Sequence, residues 1–262
     1  MNFLNNISLK SKLVLILIFP IVGLAIFASL QSFNYYKKYT SMQKIETLTI
    51  LSQKISKLVH ETQKERGMTA GYIGSKGKKF KNKLPNQREL SNKNYNEFKS
   101  YSQSIDYSIY PVAFKNNIDN TISRFEGLSE IRPKVNKLEI PAGKAIGYYT
   151  KMNALILDNV KLIAKLSSDA KVSREILAYA NFLLSKERAG IERAVGANTL
   201  GRGNFGKGMR TKFTNLITAQ NVYMGNYLDL ANQDSTDFYK TTMVGDDINE
   251  VAKIRKNIYL LY

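Results

Sequence analysis

The chain has 262 residues, which suggests one large domain or two small ones, and its formal charge is +18. It has no cysteine and a single histidine, His60, which excludes disulfide scaffolds, thiolate metal sites and cysteine nucleophiles. The excess of lysine and arginine first suggests a nucleic-acid partner.

The N-terminal segment argues against that partner. Residues 13–30 read LVLILIFPIVGLAIFASL, and no charged residue lies between Lys12 and Lys37. About 20 apolar residues are enough for a helix to span a bilayer. A cleaved signal peptide is the alternative, but the apolar run is longer than a typical signal core and lacks an A-x-A cleavage site. We therefore predict a transmembrane anchor over residues 13–30, preceded by a cytoplasmic tail over residues 1–12.

The orientation of this anchor is predicted from its short flanks. Lysines lie on both sides of the run, so charge bias barely decides between the two orientations. The short tail favours an inside amino terminus, which places residues 31–262 in the periplasm and the anchor in the inner membrane. An exported domain does not meet cellular nucleic acid, so we expect none as a partner and attribute the lysines to solubility and compositional bias.

The rest of the chain has helical periodicity and no alternating strand pattern of useful length. We predict an all-α fold of antiparallel helical bundles. Pro111, Pro133 and Pro141 are expected to separate shorter helices. The predicted helices cover residues 31–74, 86–104, 142–168, 170–200, 209–232, 235–243 and 247–262.

A short internal repeat suggests two similar halves. KERG at 64–67 and KERA at 186–189 each lie late in a long helix, and each is followed by small residues and a glycine-rich loop. The two loops, 71–77 and 201–208, could present backbone N–H groups to an anion, although such loops more often only end helices.

Arginines near this repeat are the candidate ligand-binding residues. Only ten of the 39 basic residues are arginine, and Arg66, Arg188 and Arg193 lie in or beside the repeated motif, with Arg255 on the last helix. The guanidinium group presents forked donors that match a planar oxyanion. Ion pairing is the alternative, because Arg188 and Glu192 are spaced i,i+4.

Other chemistry has little support in the sequence. His60 has no second histidine or cysteine nearby, and the chain contains neither a phosphate-binding P-loop nor a G-x-S-x-G motif. We therefore predict no catalytic residue, no metal site and no cofactor, and we expect that the protein is not an enzyme.

Several segments together resemble the nitrate- and nitrite-sensing (NIT) domain family. They are LVHETQKERGMTAGYIGSKG (58–77), QRELS (87–91), AIGYYTKMNALILDNV (145–160), FLLSKERAGIERAVGANTL (182–200) and VAKIRKN (251–257). They follow the family's order and are spread over most of residues 31–262. The chain departs from the pattern in the extra glycines of GANTLGRGNFG after the third signature.

The resemblance implies an all-helical sensor of two four-helix bundles, which is typically periplasmic in membrane-bound members. It also implies that Arg66, Arg188, Arg193 and, less directly, Arg255 bind nitrate or nitrite. Since no output module follows, we expect the sensory part of a longer homodimeric bacterial receptor of the chemoreceptor or sensor-kinase type. A ligand-independent interaction or dimerisation module is the alternative, with a soluble nucleic-acid binder as a second rival.

Overall fold

The computed structural model describes residues 8–167 and 169–261, so residues 1–7 of the predicted tail lie outside the described part. The described residues form helices and no strand, which confirms the all-α prediction. In chain order the helices are α1 (Leu9–Gly74), α2 (Lys83–Gln103), α3 (Val112–Glu126), α4 (Leu128–Asn136), α5 (Ala142–Leu166), α6 (Ala170–Arg202), α7 (Met209–Leu230), α8 (Gln233–Thr242) and α9 (Asp246–Tyr259).

Helix ends follow from local side-chain chemistry. The Asp169 carboxylate accepts a hydrogen bond from the Val172 amide at 2.9 Å and so caps α6, and Asn232 caps α8 in the same way. The α6 helix ends at Gly203, whose φ of 72° is a left-handed conformation that glycine adopts without strain. The glycine-rich stretch 201–208 therefore ends one helix and precedes the next.

The prolines act differently from one another. Pro111 and Pro141 immediately precede α3 and α5, as predicted, because proline lacks the N–H that a first helical turn leaves unbonded. Pro133 lies inside α4 instead of between helices, so the prediction of a break there is wrong. The α4 helix has only nine residues and continues for one turn beyond it.

The chain divides into two compact units, and the first contains the residues up to Glu46. In this unit the apolar run 13–30 is helical, and its large side chains are exposed. Among the described helices only α1 is long and apolar enough to cross a membrane. A signal sequence satisfies the same two criteria.

The second unit, from Thr47 onward, contains the helical bundles. Its larger core lies among α1, α2, α3 and α5, with the first half of α6 packed against it. Leu51, Ile55 and Leu58 of α1 are fully buried there, as the periodicity of that segment predicts. Burial of each such side chain contributes about 1.5–3 kcal/mol.

A smaller core holds the second half of α6 against α7 and α9. Its buried members are Val195, Phe213, Leu216 and Ile258. Ile258 is the one described residue of α9 that is buried, and it packs where Gly196 leaves space on α6. The arrangement confirms the prediction of antiparallel helical bundles, with α6 shared by both cores.

Candidate functional site

The two repeated motifs meet in space, where α1 crosses α6. A Cβ atom built on Gly190 of α6 would lie 3.1 Å from Nη2 of Arg66, and one built on Gly67 of α1 would lie 3.8 Å from Nη2 of Arg193. Each helix therefore receives the other helix's arginine beside a glycine. The missing side chains of Gly67 and Gly190 leave room for these two arginines.

Arg66 is buried and holds a carboxylate. Its guanidinium pairs with both oxygens of Glu187, Nη2 donating to Oε2 at 3.1 Å and Nη1 donating to Oε1. Nη1 also donates to the Thr150 hydroxyl at 3.2 Å, and Gln63 donates to Glu187 Oε2 at 2.7 Å. A carboxylate is a planar oxyanion, so the forked donors of Arg66 are already matched by a group of that shape.

Arg255 of α9 is held in a similar way on the other side of α6. Its Nε and Nη2 donate to the two carboxylate oxygens of Glu192 at 2.6 and 2.7 Å, and Nη2 also donates to Gln220 of α7 at 2.9 Å. Hydrogen bonding to Glu192 raises the pKa of Arg255 above its ordinary value. The pair ties α9 to α6 and α7.

Arg188 and Arg193 form no ion pair with any residue that the structure describes. Arg188 is half-buried, with its guanidinium carbon 5.9 Å from the centre of the Tyr223 ring on α7. Arg193 is exposed at the crossing with α1. The two arginine side chains point in different directions because they are five residues apart, which is about 140° around an ideal helix.

The four predicted arginines thus fall into two groups. Arg66 and Arg193 lie at the α1–α6 crossing. Arg188 and Arg255 contact α7 at Tyr223 and Gln220, which are one helical turn apart. The ion-pairing alternative is correct for Arg66 and Arg255. The pair expected from spacing, Arg188 with Glu192, is not formed. Glu192 pairs with Arg255 instead. Ligand binding by these four arginines stays a prediction.

A buried charge cluster in the larger core was missed by the sequence analysis. Glu65 is fully buried and accepts two hydrogen bonds from Arg132, at 2.8 and 2.9 Å, and one from the Tyr149 hydroxyl at 2.6 Å. Burial and the nearby Glu65 charge raise the pKa of Tyr149. The sequence did contain a signal, because Glu65 continues the buried stripe of α1 that includes Leu58 and Thr62.

Asn153 of α5 is fully buried. The Thr62 hydroxyl donates to Asn153 Oδ1 at 2.7 Å, which joins α1 to α5 next to the Arg66 site. His60 lies 2.8 Å from the Lys186 ammonium, and burial together with that charge lowers the pKa of His60. Among the described residues, no group of three or more histidine, aspartate or glutamate side chains could hold a metal ion.

Comparison with known proteins adds three findings. A family described as nitrate and nitrite sensing matches residues 57–259. The chain is 25% identical over 187 residues to a nitrate regulatory protein of Klebsiella oxytoca, covering 71% of this chain and 47% of that protein. The chain therefore spans about half the length of this curated relative.

The fold is similar to that of a solved structure, the NasR transcription antiterminator. The TM-score is 0.77 at 22% sequence identity, and the match covers 87% of this chain and 62% of the other. At this level of identity the likeness establishes the fold.

These comparisons correct the predicted context. The prediction of a periplasmic chemoreceptor-type domain anchored in the inner membrane is wrong, because the similar proteins are regulators, one of them a transcription antiterminator. The prediction that nucleic acid is not a partner is wrong for the same reason, since a transcription antiterminator regulates RNA synthesis. The predicted homodimer stays a prediction.

Proposed function

The chain belongs to the nitrate- and nitrite-sensing (NIT) domain family, and from this membership we propose that it is the oxyanion-sensing part of a nitrate-responsive regulator. The observation that carries the proposal is the arginine set along α6, in which Arg188 and Arg193 lack a carboxylate partner among the described residues. We propose a sensing role and not a catalytic one, in keeping with the sensing and regulatory proteins that the chain resembles.

The donor geometry supports nitrate or nitrite as the ligand. Nitrate presents three coplanar oxygens, and a guanidinium edge offers two parallel N–H groups that match two of them. Arg66 and Arg255 already hold carboxylates in this way. We propose two anion positions, one held by Arg66 and Arg193 in place of Glu187 and the other held by Arg188 and Arg255 in place of Glu192.

Such displacement would supply the signal. Glu187 joins α6 to α1, and Glu192 joins α6 to α9, so an anion that replaces either carboxylate loosens one helix contact and forms another. Its effect is limited by the difference in its affinity for the two arrangements. The proposed output is a change in transcription by the whole regulator, as the names of the similar proteins suggest.

The size of the ligand limits its affinity. Nitrate has four heavy atoms, and at a ceiling of ~1.5 kcal/mol per atom its binding free energy is about 6 kcal/mol. This corresponds to a dissociation constant on the order of tens of micromolar. We therefore expect a micromolar sensor.

The test is calorimetric titration of the full chain with nitrate and then nitrite, with chloride as the background anion. A mild detergent keeps the exposed apolar part of α1 in solution. We expect saturable binding, and Arg188→Ala should weaken binding at the α7 position at least tenfold. Arg202→Ala is the matched control, because Arg202 lies in the last turn of the same helix and is exposed.

A flat titration of a folded, helical wild-type protein would refute the proposal and would favour the ligand-independent interaction module. Equal binding by Arg188→Ala and the wild type would instead refute the assignment of Arg188. Sedimentation of the same samples would separate a dimerisation module from an inert monomer.

A further inference from the structure

A second basic pocket lies away from the arginines of α6, where the loop after α1 meets α2 and α4. It is about 380 Å³ in volume, within the range of small-molecule sites. The residues that line it are Tyr72, Lys81, Leu84, Pro85, Arg88 and Asn136. None of the six is acidic.

Arg88 lines this pocket and has two donors without a hydrogen-bond partner among the described residues. Its Nη1 donates to Asn136 Oδ1 at 2.7 Å, which fixes one end of the guanidinium. Its Nε and Nη2 are buried and have no hydrogen-bond partner among the described residues. These two atoms form the edge that Arg132 and Arg255 use to bind carboxylates side-on. Buried donors without a partner are rare in folded proteins.

The nearest carboxylate is already occupied by other groups. Glu65 Oε1 forms a long ion pair with Arg88 Nε at 3.7 Å, which is beyond hydrogen-bond distance. Both oxygens of Glu65 accept from Arg132, and Oε1 also accepts from Tyr149. One carboxylate therefore faces two arginines, and the cluster keeps a net positive charge.

Lys81 adds a second cation to the lining of the pocket. It is exposed and forms no ion pair with a described residue. Burial lowers the pKa of Arg88, and the charge of Arg132 lowers it further, because both disfavour the charged guanidinium. A bound anion would offset both effects.

We propose that this pocket binds a phosphate group, free or carried on a small monoester, at a site separate from the nitrate and nitrite arginines. On binding, the Arg88 guanidinium turns its Nε–Nη2 edge from Glu65 toward the pocket and holds two phosphate oxygens, and the Lys81 ammonium contacts a third. Two cations suit the charge of a phosphate dianion better than that of nitrate. Leu84, Pro85 and the Tyr72 ring provide an apolar wall for the organic part of a monoester.

The test is calorimetric titration of the full chain with inorganic phosphate and, in parallel, with glycerol 3-phosphate, at constant ionic strength in chloride. We expect saturable binding of at least one of them to the wild type. Arg88→Lys keeps the charge but removes the fork, and it should weaken binding about tenfold or more. Lys81→Gln should weaken it by a smaller factor.

Two controls locate the site. Lys83→Gln removes an exposed charge next to the pocket but outside its lining, and it should leave phosphate affinity unchanged. Arg188→Ala should also leave it unchanged, which separates this site from the proposed nitrate site. Tighter binding of the monoester assigns the pocket to a carried phosphate, and equal or weaker binding assigns it to free phosphate.

A flat titration with both compounds would overturn the proposal. So would wild-type affinity in Arg88→Lys, or a loss of phosphate binding in Arg188→Ala. If Arg88→Lys does not fold, as judged by circular dichroism, the Lys81→Gln and Lys83→Gln pair decides: equal affinity in the two variants overturns the proposal.

Discussion

Replacement of Glu187 by glutamine tests the central ion pair of the α1–α6 crossing. The change keeps the shape of the side chain but removes the negative charge that faces Arg66. Arg66 and Glu187 are 5% and 3% exposed, so the remaining guanidinium would be a buried charge without a countercharge. Breaking a buried ion pair in this way costs about 3–5 kcal/mol.

This loss of stability can be converted into a change in melting temperature. For a domain of this size, 1 kcal/mol shifts the midpoint by roughly 2–4 °C, so Glu187→Gln should melt roughly 6–20 °C below the wild type in chloride. Nitrate should restore part of this loss, since an anion that binds Arg66 supplies the missing charge. At a nitrate concentration 100 times the dissociation constant, the recovery is about 2.7 kcal/mol.

The assay is thermal unfolding followed by circular dichroism at 222 nm, in chloride and in nitrate at equal ionic strength. Glu97→Gln is the matched control, because the same substitution there removes a partly exposed ion pair with Lys54, which is worth about 0–1 kcal/mol. Equal melting temperatures for the two variants would show that Arg66 does not depend on Glu187. Destabilisation that nitrate does not reverse would show that the anion does not replace this carboxylate.

Three further predictions concern hydrogen bonding, titration and packing in the protein interior. Tyr149→Phe removes a hydrogen bond to the buried Glu65 carboxylate and should lower the free energy of unfolding in urea by about 1.5–3 kcal/mol. Tyr107→Phe removes a buried hydroxyl without a described partner and should be neutral or stabilising. Burial raises the pKa of Tyr107 to about 12, so its neutral form stabilises the fold fully below pH 10, and this contribution is lost as the pH rises from 10 to 12. Tyr107→Phe should therefore lose less stability than the wild type over that pH range, and parallel curves would contradict the argument. Gly196→Val places a Cβ 2.9 Å from Ile258 Cδ1 and should destabilise the protein by about 1–3 kcal/mol. Hydrogen exchange should show reduced protection of α9. Full protection would show that α9 is held by other contacts.

Much of the helical layout was predictable from the sequence because its signals are local. The apolar spacing of Leu51, Ile55 and Leu58 marks the buried face of α1, and the glycines after residue 200 mark the end of α6. The resemblance to the sensing family was confirmed, since its motifs are contiguous segments. The prediction at Pro133 failed because a short helix tolerates a proline whose lost hydrogen bond lies near its first turn.

The partners of the charged residues were not predictable, because they are set by how helices pack. Glu192 has an arginine four residues before it, yet it pairs with Arg255, 63 positions later in the chain. The Arg132–Glu65 pair is likewise formed between helices far apart in sequence. Local spacing identifies which residues could pair, but the choice among them depends on the crossing of helices that no periodicity specifies.

The sparse burial of α9 has a consequence for how Arg255 behaves over time. With Ile258 as its one buried described residue, this helix rests on little apolar contact and on the forked pair with Glu192. Segments with few buried contacts open at a lower free energy than the rest of a protein. We therefore expect α9, which carries Arg255, to open more readily than the larger core. An anion that binds the attached form would lengthen the residence time of α9 on the bundle, so the protein could respond through the lifetime of one helix without a rearrangement of its core.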